Sequence, residues 1–199
     1  MTTEPAAAQI SPVFRGMLTW RGCDGDRLEQ VRLLINDRRI KAYGRVIGAA
    51  TDEREAFSAS YDLVTDDDGV TRRFSVHLLR ESGETQISVS RDTEGNWLVQ
   101  TPRGTERGSY GGAQDVELEL SPFFNSLPIR RLGLANAVEP VDVPVVYLYL
   151  PAGVARVETL RYRALGSDAV QVQSPLGDST LTLDDNGFVS DYQGLADRL

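Results

Sequence analysis

The sequence predicts an all-β protein whose strongly curved antiparallel sheet forms a barrel-like or half-barrel structure, with few short helices. Apolar and polar residues alternate in many short segments, which is the pattern of strands with one buried face. Turn-forming residues recur about every 8–12 residues, as they do in β-sandwiches and barrels. Because so many strands exceed what a flat sheet accommodates, the sheet is expected to curl or to close.

Individual strands follow from the alternation. Residues 57–63 (FSASYDL) alternate without a break and predict a half-buried strand. Residues 40–48 (IKAYGRVIG) predict another, in which Gly44 indicates a bulge. Residues 145–150 (VVYLYL) are apolar at every position, so this strand is expected to be covered on both sides.

The remaining segments define the organisation of the chain. Residues 1–12, which contain several alanines and two prolines, predict a flexible leader, and residues 13–199 predict a single barrel-like domain. Residues 101–114 are rich in glycine and polar residues and predict the longest loop. The final residues, GLADRL, fit a single helical turn.

Composition narrows the classes of partner and the compartment. The net charge of −8 disfavours binding to nucleic acid and to anionic membrane surfaces, because both functions usually require a basic balance. Cys23 is the only cysteine, so no internal disulfide can form, which fits a reducing compartment. The N-terminal residues lack the pattern of a signal peptide, and no apolar run is long enough to span a bilayer. We expect a cytoplasmic protein without an integral membrane segment.

Residues 115–134 (DVELELSPFFNSLPIRRLGL) are the segment around which the sequence is organised. They predict a strand that alternates strictly, a break at Pro122 and a turn at Asn125-Ser126. A second apolar run follows, and its phase changes at Arg130-Arg131, which predicts a bulge or corner. No amphipathic helix of three turns is predicted, here or elsewhere.

Nucleophilic and metal-dependent catalysis have little support in the sequence. His77, the only histidine, shares the polar side of its strand with Ser75 and is expected to face solvent. Cys23 lies in a Gly-rich turn and has no visible activating partner. One histidine and one cysteine do not suffice for a zinc centre, and no phosphate-binding loop is present. We therefore expect no cofactor, no metal and no catalytic residue of these classes.

The carboxylates of the central segment allow two interpretations. Asp115, Glu117 and Glu119 share one side of the predicted strand, with neighbours about 7 Å apart. That spacing suits acid–base chemistry on a sugar-like substrate. A hydrated outer face is favoured, because antiparallel sheets commonly have one.

Arginines and aromatic residues indicate a ligand cavity. Arg130 and Arg131 stand in the most apolar part of the central segment, and Trp20, Trp97 and Tyr147 are of the type that lines pockets for lipids or sugars. The alternative for each aromatic residue is a place in the core. The alternative for the arginines is an ion pair with Asp115, Glu117 or Glu119, because an unpaired buried charge is costly.

The central segment DVELELSPFFNSLPIRRL at 115–132 is similar to the pattern DVDL…TP.TN.LPIRRL. With this pattern the chain resembles the putative glycolipid-binding family of small bacterial proteins. The order and spacing of the matches cover residues 18–199. The chain departs from the pattern at Ala113, where a cysteine is expected, and at Ser121 and Phe124, where threonines are expected. Further matches are Trp20-Arg21-Gly22, Leu28-Glu29, Asp92 with Gly95-Asn96-Trp97, Asp184 with Gly187-Phe188-Val189, Asp191-Tyr192 and Leu195.

The resemblance implies a half-barrel with a concave apolar interior, similar to bacterial lipoprotein carriers, and a lipid or glycolipid partner. We therefore expect non-enzymatic binding of an amphipathic ligand in a barrel-like cavity. Two alternatives stay open: an enzyme that uses carboxylates on a sugar-like or acyl substrate, and a structural or interaction module. The expected ligand-binding residues are Arg130, Arg131, Asn125, Asp115, Trp20, Trp97 and Tyr147.

Overall fold

One continuous sheet of fifteen strands wraps around an α-helix in the computed structural model, which describes residues 14–23 and 25–199. The predicted all-β half-barrel is therefore confirmed, whereas the predicted leader, residues 1–12, lies outside the described residues. The strands are β1 Phe14–Gly22, β2 Arg27–Asn36, β3 Arg39–Gly48, β4 Phe57–Thr65, β5 Thr71–Arg80, β6 Gly83–Arg91, β7 Trp97–Thr101, β8 Gly104–Gly108, β9 Asp115–Leu118, β10 Val141–Tyr149, β11 Val154–Gly166, β12 Ala169–Ser174, β13 Gly177–Leu183, β14 Val189–Tyr192 and β15 Ala196–Arg198.

The sheet consists of two antiparallel meanders that meet at the chain termini. Strands β1 to β8 form the first meander and β10 to β15 the second, and β15 pairs with β1 between Gly22 and Ala196. At the far edge, β9 pairs in parallel with β10. Most pairs join strands that are adjacent in sequence, which explains why local alternation predicts them well.

The sheet curls without closing. Its edges are β8 and β9, and the chain just before β9 returns to the first meander. There the Thr71 N–H donates to the Gln114 carbonyl oxygen at 3.0 Å, and the Trp97 Nε1–H donates to the Ala113 carbonyl oxygen at 2.9 Å. These bonds bring β9 under β5 and leave β8 as a free edge in the described part of the chain.

The helix α1, Pro122–Leu132, overturns the prediction for the central segment. No turn forms at Asn125-Ser126, and the phase change at Arg130-Arg131 is helical periodicity rather than a bulge. Pro122 occupies the first helical turn, where its missing N–H costs nothing, and Gly133 ends the helix in the left-handed region. Every residue from 122 to 129 is buried, so α1 lacks the polar face by which amphipathic helices are recognised.

The helix fills the concave side of the sheet. Phe123 and Phe124 pack against the ring of Tyr61 on β4, with ring centroids 6.3 and 5.1 Å away. Further along, Phe188 stacks on Phe123 at 6.4 Å. The concave interior that the family resemblance implies is therefore occupied by the chain itself.

Three smaller predictions were wrong. Residues 101–114, predicted as a loop, contain β8. The end of the chain forms β15 rather than a helical turn, because it pairs with both β1 and β14. Gly44 causes no bulge, since β3 keeps an unbroken register with both neighbours.

Candidate functional site

Helix α1 is tied to β9 by a buried ion pair. The Arg131 guanidinium donates through Nη2 to Asp115 Oδ2 at 2.5 Å and through Nε to Oδ1 at 3.3 Å. Its Nη1 also donates to Gln114 Oε1 at 2.8 Å. The Asp115 side chain is fully buried, and burial raises the pKa of this carboxyl while Arg131 opposes the rise. Of the two alternatives for Arg131, the structure shows the strand carboxylate.

Glu29 on β2 points into the core beneath the start of α1. Its Oε1 accepts hydrogen bonds from the Tyr61 hydroxyl at 2.6 Å and the Ser121 hydroxyl at 2.5 Å. Its Oε2 is buried and has no hydrogen-bond partner. Burial raises the pKa of Glu29 to about 7, although both hydroxyls lower it.

Glu117 on β9 is a second carboxyl in the interior. Its Oε1 accepts a hydrogen bond from Asn125 Nδ2 at 3.0 Å, and Asn125 Oδ1 accepts one from the Tyr162 hydroxyl at 3.0 Å. Glu117 Oε2 is buried and has no hydrogen-bond partner. Burial, followed by the charges of Glu29 and Asp115, raises the pKa of Glu117 well above its usual range.

The favoured interpretation of the β9 carboxylates as a hydrated outer face was therefore wrong. Asp115 and Glu117 are buried, and Glu119 is half-buried with Oε2 accepting the Leu150 N–H at 2.7 Å. The reason is that β9 is covered on both sides, by α1 and by the rest of the rolled sheet. Strict alternation shows that a strand has two different faces, but it does not show that one of them is exposed to solvent.

A small pocket lies beside Glu117 and brings together two predicted site residues, Asn125 and Tyr147. Its volume is about 10 Å³, which is too little for a ligand. Leu176 and Leu195 contribute to its lining. In this conformation the pocket is a small void beside polar side chains in the core and not a binding cavity.

Arg130 lines a larger, polar pocket of about 520 Å³ between the end of α1 and the turn before β14. Its guanidinium carbon lies 4.4 Å from the centroid of the Phe188 ring, a cation–π contact. Burial lowers the pKa of Arg130, and the charge of Asp184 opposes this. Asp184 pairs with Arg198 at 2.7 Å, and Arg130 forms no ion pair within the described residues.

The two tryptophans lie in the core, far apart in the sheet. Trp20 on β1 is 1% exposed, and its Nε1–H donates to the Val189 carbonyl oxygen at 2.9 Å. Trp97 on β7 is fully buried and holds the segment before β9, as described above. Both indole N–H groups are thus used by the protein itself.

A further opening, which we call the rim groove, lies where β2 and β4 begin and β3 and β5 end. Its volume is about 620 Å³. Leu28, Ile47 and Leu79 line it from the outer side of the sheet, and each is between 43% and 50% exposed. The full lining is Gly25, Asp26, Arg27, Leu28, Ile47, Gly48, Ala49, Ala56, Phe57, Leu79 and Arg80.

Sequence reasoning missed this groove, although a signal was present. Leu28, Ile47 and Leu79 occupy the polar side of otherwise alternating strands, where each breaks the pattern. Strand register places Leu28 opposite Ile47. On β4, Ser58 lies opposite Ile47 of β3 and opposite Leu79 of β5. Only the register shows that these three exceptions form one row.

The described residues contain no cluster of three or more His, Cys, Asp or Glu side chains that could hold a metal ion. Within the same residues, no helix is long and apolar enough to cross a membrane. His77 is exposed, as predicted, and lies 3.2 Å from Glu84. Cys23 is exposed in its turn.

Comparisons with known proteins identify the family of the chain and a similar solved structure. The sequence model of a family described as "Putative glycolipid-binding" matches residues 17–198. A crystal structure of a DUF1089-family protein from Pseudomonas aeruginosa is similar, with a TM-score of 0.71 and 25% identity, and the match covers 100% of each chain. No curated protein matches the chain.

Proposed function

The chain belongs to the putative glycolipid-binding family, and from this premise we propose that it binds an amphipathic ligand, a lipid or glycolipid, without transforming it. The observation that carries the proposal is the rim groove. Its volume of about 620 Å³ falls within the range of small-molecule sites. We propose the rim of the half-barrel as the ligand site, and the filling of the interior by α1 supports this choice.

The apolar part of the ligand lies along Leu28, Ile47 and Leu79. These side chains already form a row across four strands, so an alkyl chain can contact all three without a rearrangement of the sheet. Phe57 forms the buried end of the groove. Each methylene buried there contributes about 0.8 kcal/mol, which favours a chain of several carbons.

The polar part of the ligand meets arginine. Arg80 lines the groove and donates to the Pro151 carbonyl oxygen at 2.9 Å and to Thr85 Oγ1 at 2.7 Å. Its Nε–H is buried and has no hydrogen-bond acceptor. The positive charge of the guanidinium beside the groove favours a carboxylate, phosphate or hydroxyl oxygen in the head of the ligand.

Binding of dansyl-labelled undecanoic acid, followed by fluorescence, tests the proposal. We expect saturable binding to the native protein and displacement by dodecyl maltoside, an uncharged amphiphile with a sugar head. Ile47→Glu should weaken binding about tenfold or more, since it places a carboxylate beside the alkyl chain. Native mass spectrometry after gentle purification should reveal whether a ligand is carried from the cell.

Leu165→Glu is the matched control, because Leu165 is a similarly exposed leucine that does not line the groove. It introduces the same charge and should leave binding unchanged. The proposal fails if the fatty acid does not bind, or if Ile47→Glu and Leu165→Glu weaken binding equally.

The buried carboxyls support a second candidate, an enzyme that acts on a sugar-like or acyl substrate. Glu29 and Glu117 both carry raised pKa values, which is how general acids are prepared at neutral pH. Hydrolysis of nitrophenyl glycosides and esters, compared between the native protein and Glu117→Gln, tests this. Equal background rates for both proteins would exclude Glu117 from such a role.

A further inference from the structure

The outer side of strands β1 to β5 carries positive charge in a protein whose net charge is −8. We call this surface the outer basic face and define it as the outward side chains of residues 15–21, 28–34, 41–47, 58–64 and 73–79. Asp62 is the only acidic residue in it. The cations of this face are all exposed and comprise Arg15, Arg21, Arg32, Lys41, Arg45 and Arg73.

These cations are not neutralised by neighbours. None of the six forms an ion pair with any described residue. Arg45 Nε donates to the neutral Ser60 hydroxyl at 2.9 Å. Arg32 lies in a row with Met17 on one side and Tyr43 on the other, with Asp62 beyond Tyr43. The face therefore presents a net positive field to solvent.

Apolar side chains are interleaved with the cations. Met17 and Tyr43 are 58% and 46% exposed on the same face. Leu28, Ile47 and Leu79 form the end of the face that borders the rim groove. A surface that mixes arginine with exposed aromatic and aliphatic groups suits the boundary between lipid headgroups and acyl chains.

We propose that the outer basic face docks the protein on an anionic lipid bilayer. Five strands give a surface roughly 24 Å wide, enough for several headgroups. Arginine contacts the phosphates, while Met17, Tyr43 and the groove row lie at the depth of the upper acyl chains. The apolar groups favour a membrane over a nucleic acid, whose backbone offers them no partner.

Sedimentation with vesicles tests the proposal on the full chain. The vesicles contain equal parts of phosphatidylglycerol and phosphatidylcholine, and pure phosphatidylcholine vesicles serve as the uncharged reference. We expect binding to the anionic vesicles that weakens when sodium chloride is raised, because salt screens the contact. Both kinds of vesicle offer acyl chains to the rim groove and only one is anionic, so the difference in binding between them reports the charged face and not the proposed ligand site.

Charge reversal locates the contact. The double variant Arg32→Glu/Arg45→Glu should lower vesicle binding about tenfold or more. Arg156→Glu/Arg163→Glu makes the same charge change at exposed positions on β11 and should have less than about a twofold effect, since it lies outside the face. All four positions are exposed, so both proteins should fold, which circular dichroism would verify.

Three results would overturn the proposal: equal binding to both kinds of vesicle, equal losses in the two double variants, or no vesicle binding at all. Binding of a fluorescent single-stranded oligonucleotide tests the alternative partner, a nucleic acid. Tight binding of the oligonucleotide, lost in Arg32→Glu/Arg45→Glu while vesicles do not bind, would reassign the face to nucleic acid.

Discussion

Arg131 and Asp115 form a two-bond ion pair that fastens the last turn of α1 to the first residue of β9. Both residues belong to the central segment, residues 115–134, and their contact joins its first residue to its last helical turn. The Arg131 side chain is 10% exposed and that of Asp115 is fully buried. The arginine that the sequence predicted as a ligand contact is thus committed to holding the helix inside the sheet.

Removal of one partner of this pair should destabilise the protein strongly. Arg131→Ala leaves the Asp115 carboxylate buried and unpaired, so we expect a loss of about 3–5 kcal/mol in the free energy of unfolding. Urea denaturation measures the loss. Arg131→Met/Asp115→Leu, which removes both charges, should lose less than Arg131→Ala, and a larger loss would contradict this explanation.

Glu29 predicts a pH dependence of stability with a definite sign. Its pKa is raised from 4.5 to about 7 in the folded protein, so the folded state binds more protons than the unfolded state between these values. The stability contributed by the protonated carboxyl is complete below pH 4.5 and is lost as the pH rises through about 7. The total loss is roughly 3 kcal/mol.

Glu29→Gln should remove most of this dependence. The amide oxygen can still accept from the Tyr61 and Ser121 hydroxyls, while no charge forms at neutral pH. We expect the variant to be more stable than the native protein at pH 7.5 and to show a flatter profile in urea titrations between about pH 5 and 7.5. An unchanged slope would mean that Glu29 titrates normally.

Gly44 is required by the hydrogen bond that reaches Glu29. It lies directly opposite Tyr61 on the neighbouring strand, and a Cβ at position 44 would overlap the Tyr61 ring. Gly44→Ala should therefore lower the free energy of unfolding by about 1–3 kcal/mol, as measured by thermal denaturation.

Gly166→Ala is the control for this substitution, because a Cβ there would come no closer than 3.6 Å to its nearest neighbour, Asp168. It should be nearly neutral. Tyr61→Ala should abolish most of the additional cost of Gly44→Ala in a double-mutant cycle. Additive effects in that cycle would show that the overlap is not the cause.

A substitution of Arg130 distinguishes a structural role of this residue from a role in ligand binding. Its cation–π contact with Phe188 should contribute about 0.5–2 kcal/mol, so Arg130→Met should destabilise the protein by that amount in urea denaturation. Binding of the dansyl fatty acid should be unchanged, because Arg130 does not line the rim groove. A selective loss of fatty-acid binding with unchanged stability would place the ligand at Arg130 instead.

The sequence was sufficient to predict the strands, but not the helix and the buried carboxyl groups that the sheet encloses. Residues 57–63 alternate because one side of β4 is buried and the other is not, and that information is local. Helix α1 has no such signal, because residues 122–129 are buried on every side and leave no exposed polar face. The burial of Glu117 was equally hidden, since it depends on β9 lying inside a sheet whose curvature is set by distant pairings.

The distribution of charge could not be predicted from the sequence either. The net charge of −8 disfavours binding to anionic membranes, but a total does not show where on the surface the charges lie. Arg32 and Arg45 share a face only because β2 and β3 pair with their outward residues aligned. Ile47 joins that face for the same reason. Composition therefore gives the total charge of the protein but not the distribution of that charge over its surface.

Photo-crosslinking with a diazirine-bearing fatty acid tests the central claim, ligand binding in the rim groove, most directly. After irradiation of the native protein and proteolysis, mass spectrometry locates the adducts. We predict adducts within residues 25–28, 47–49, 56–57 and 79–80, which line the groove, and their loss in Ile47→Glu. Adducts confined to the pocket of Glu117, Asn125 and Tyr147, or to the pocket of Arg130, would contradict the account.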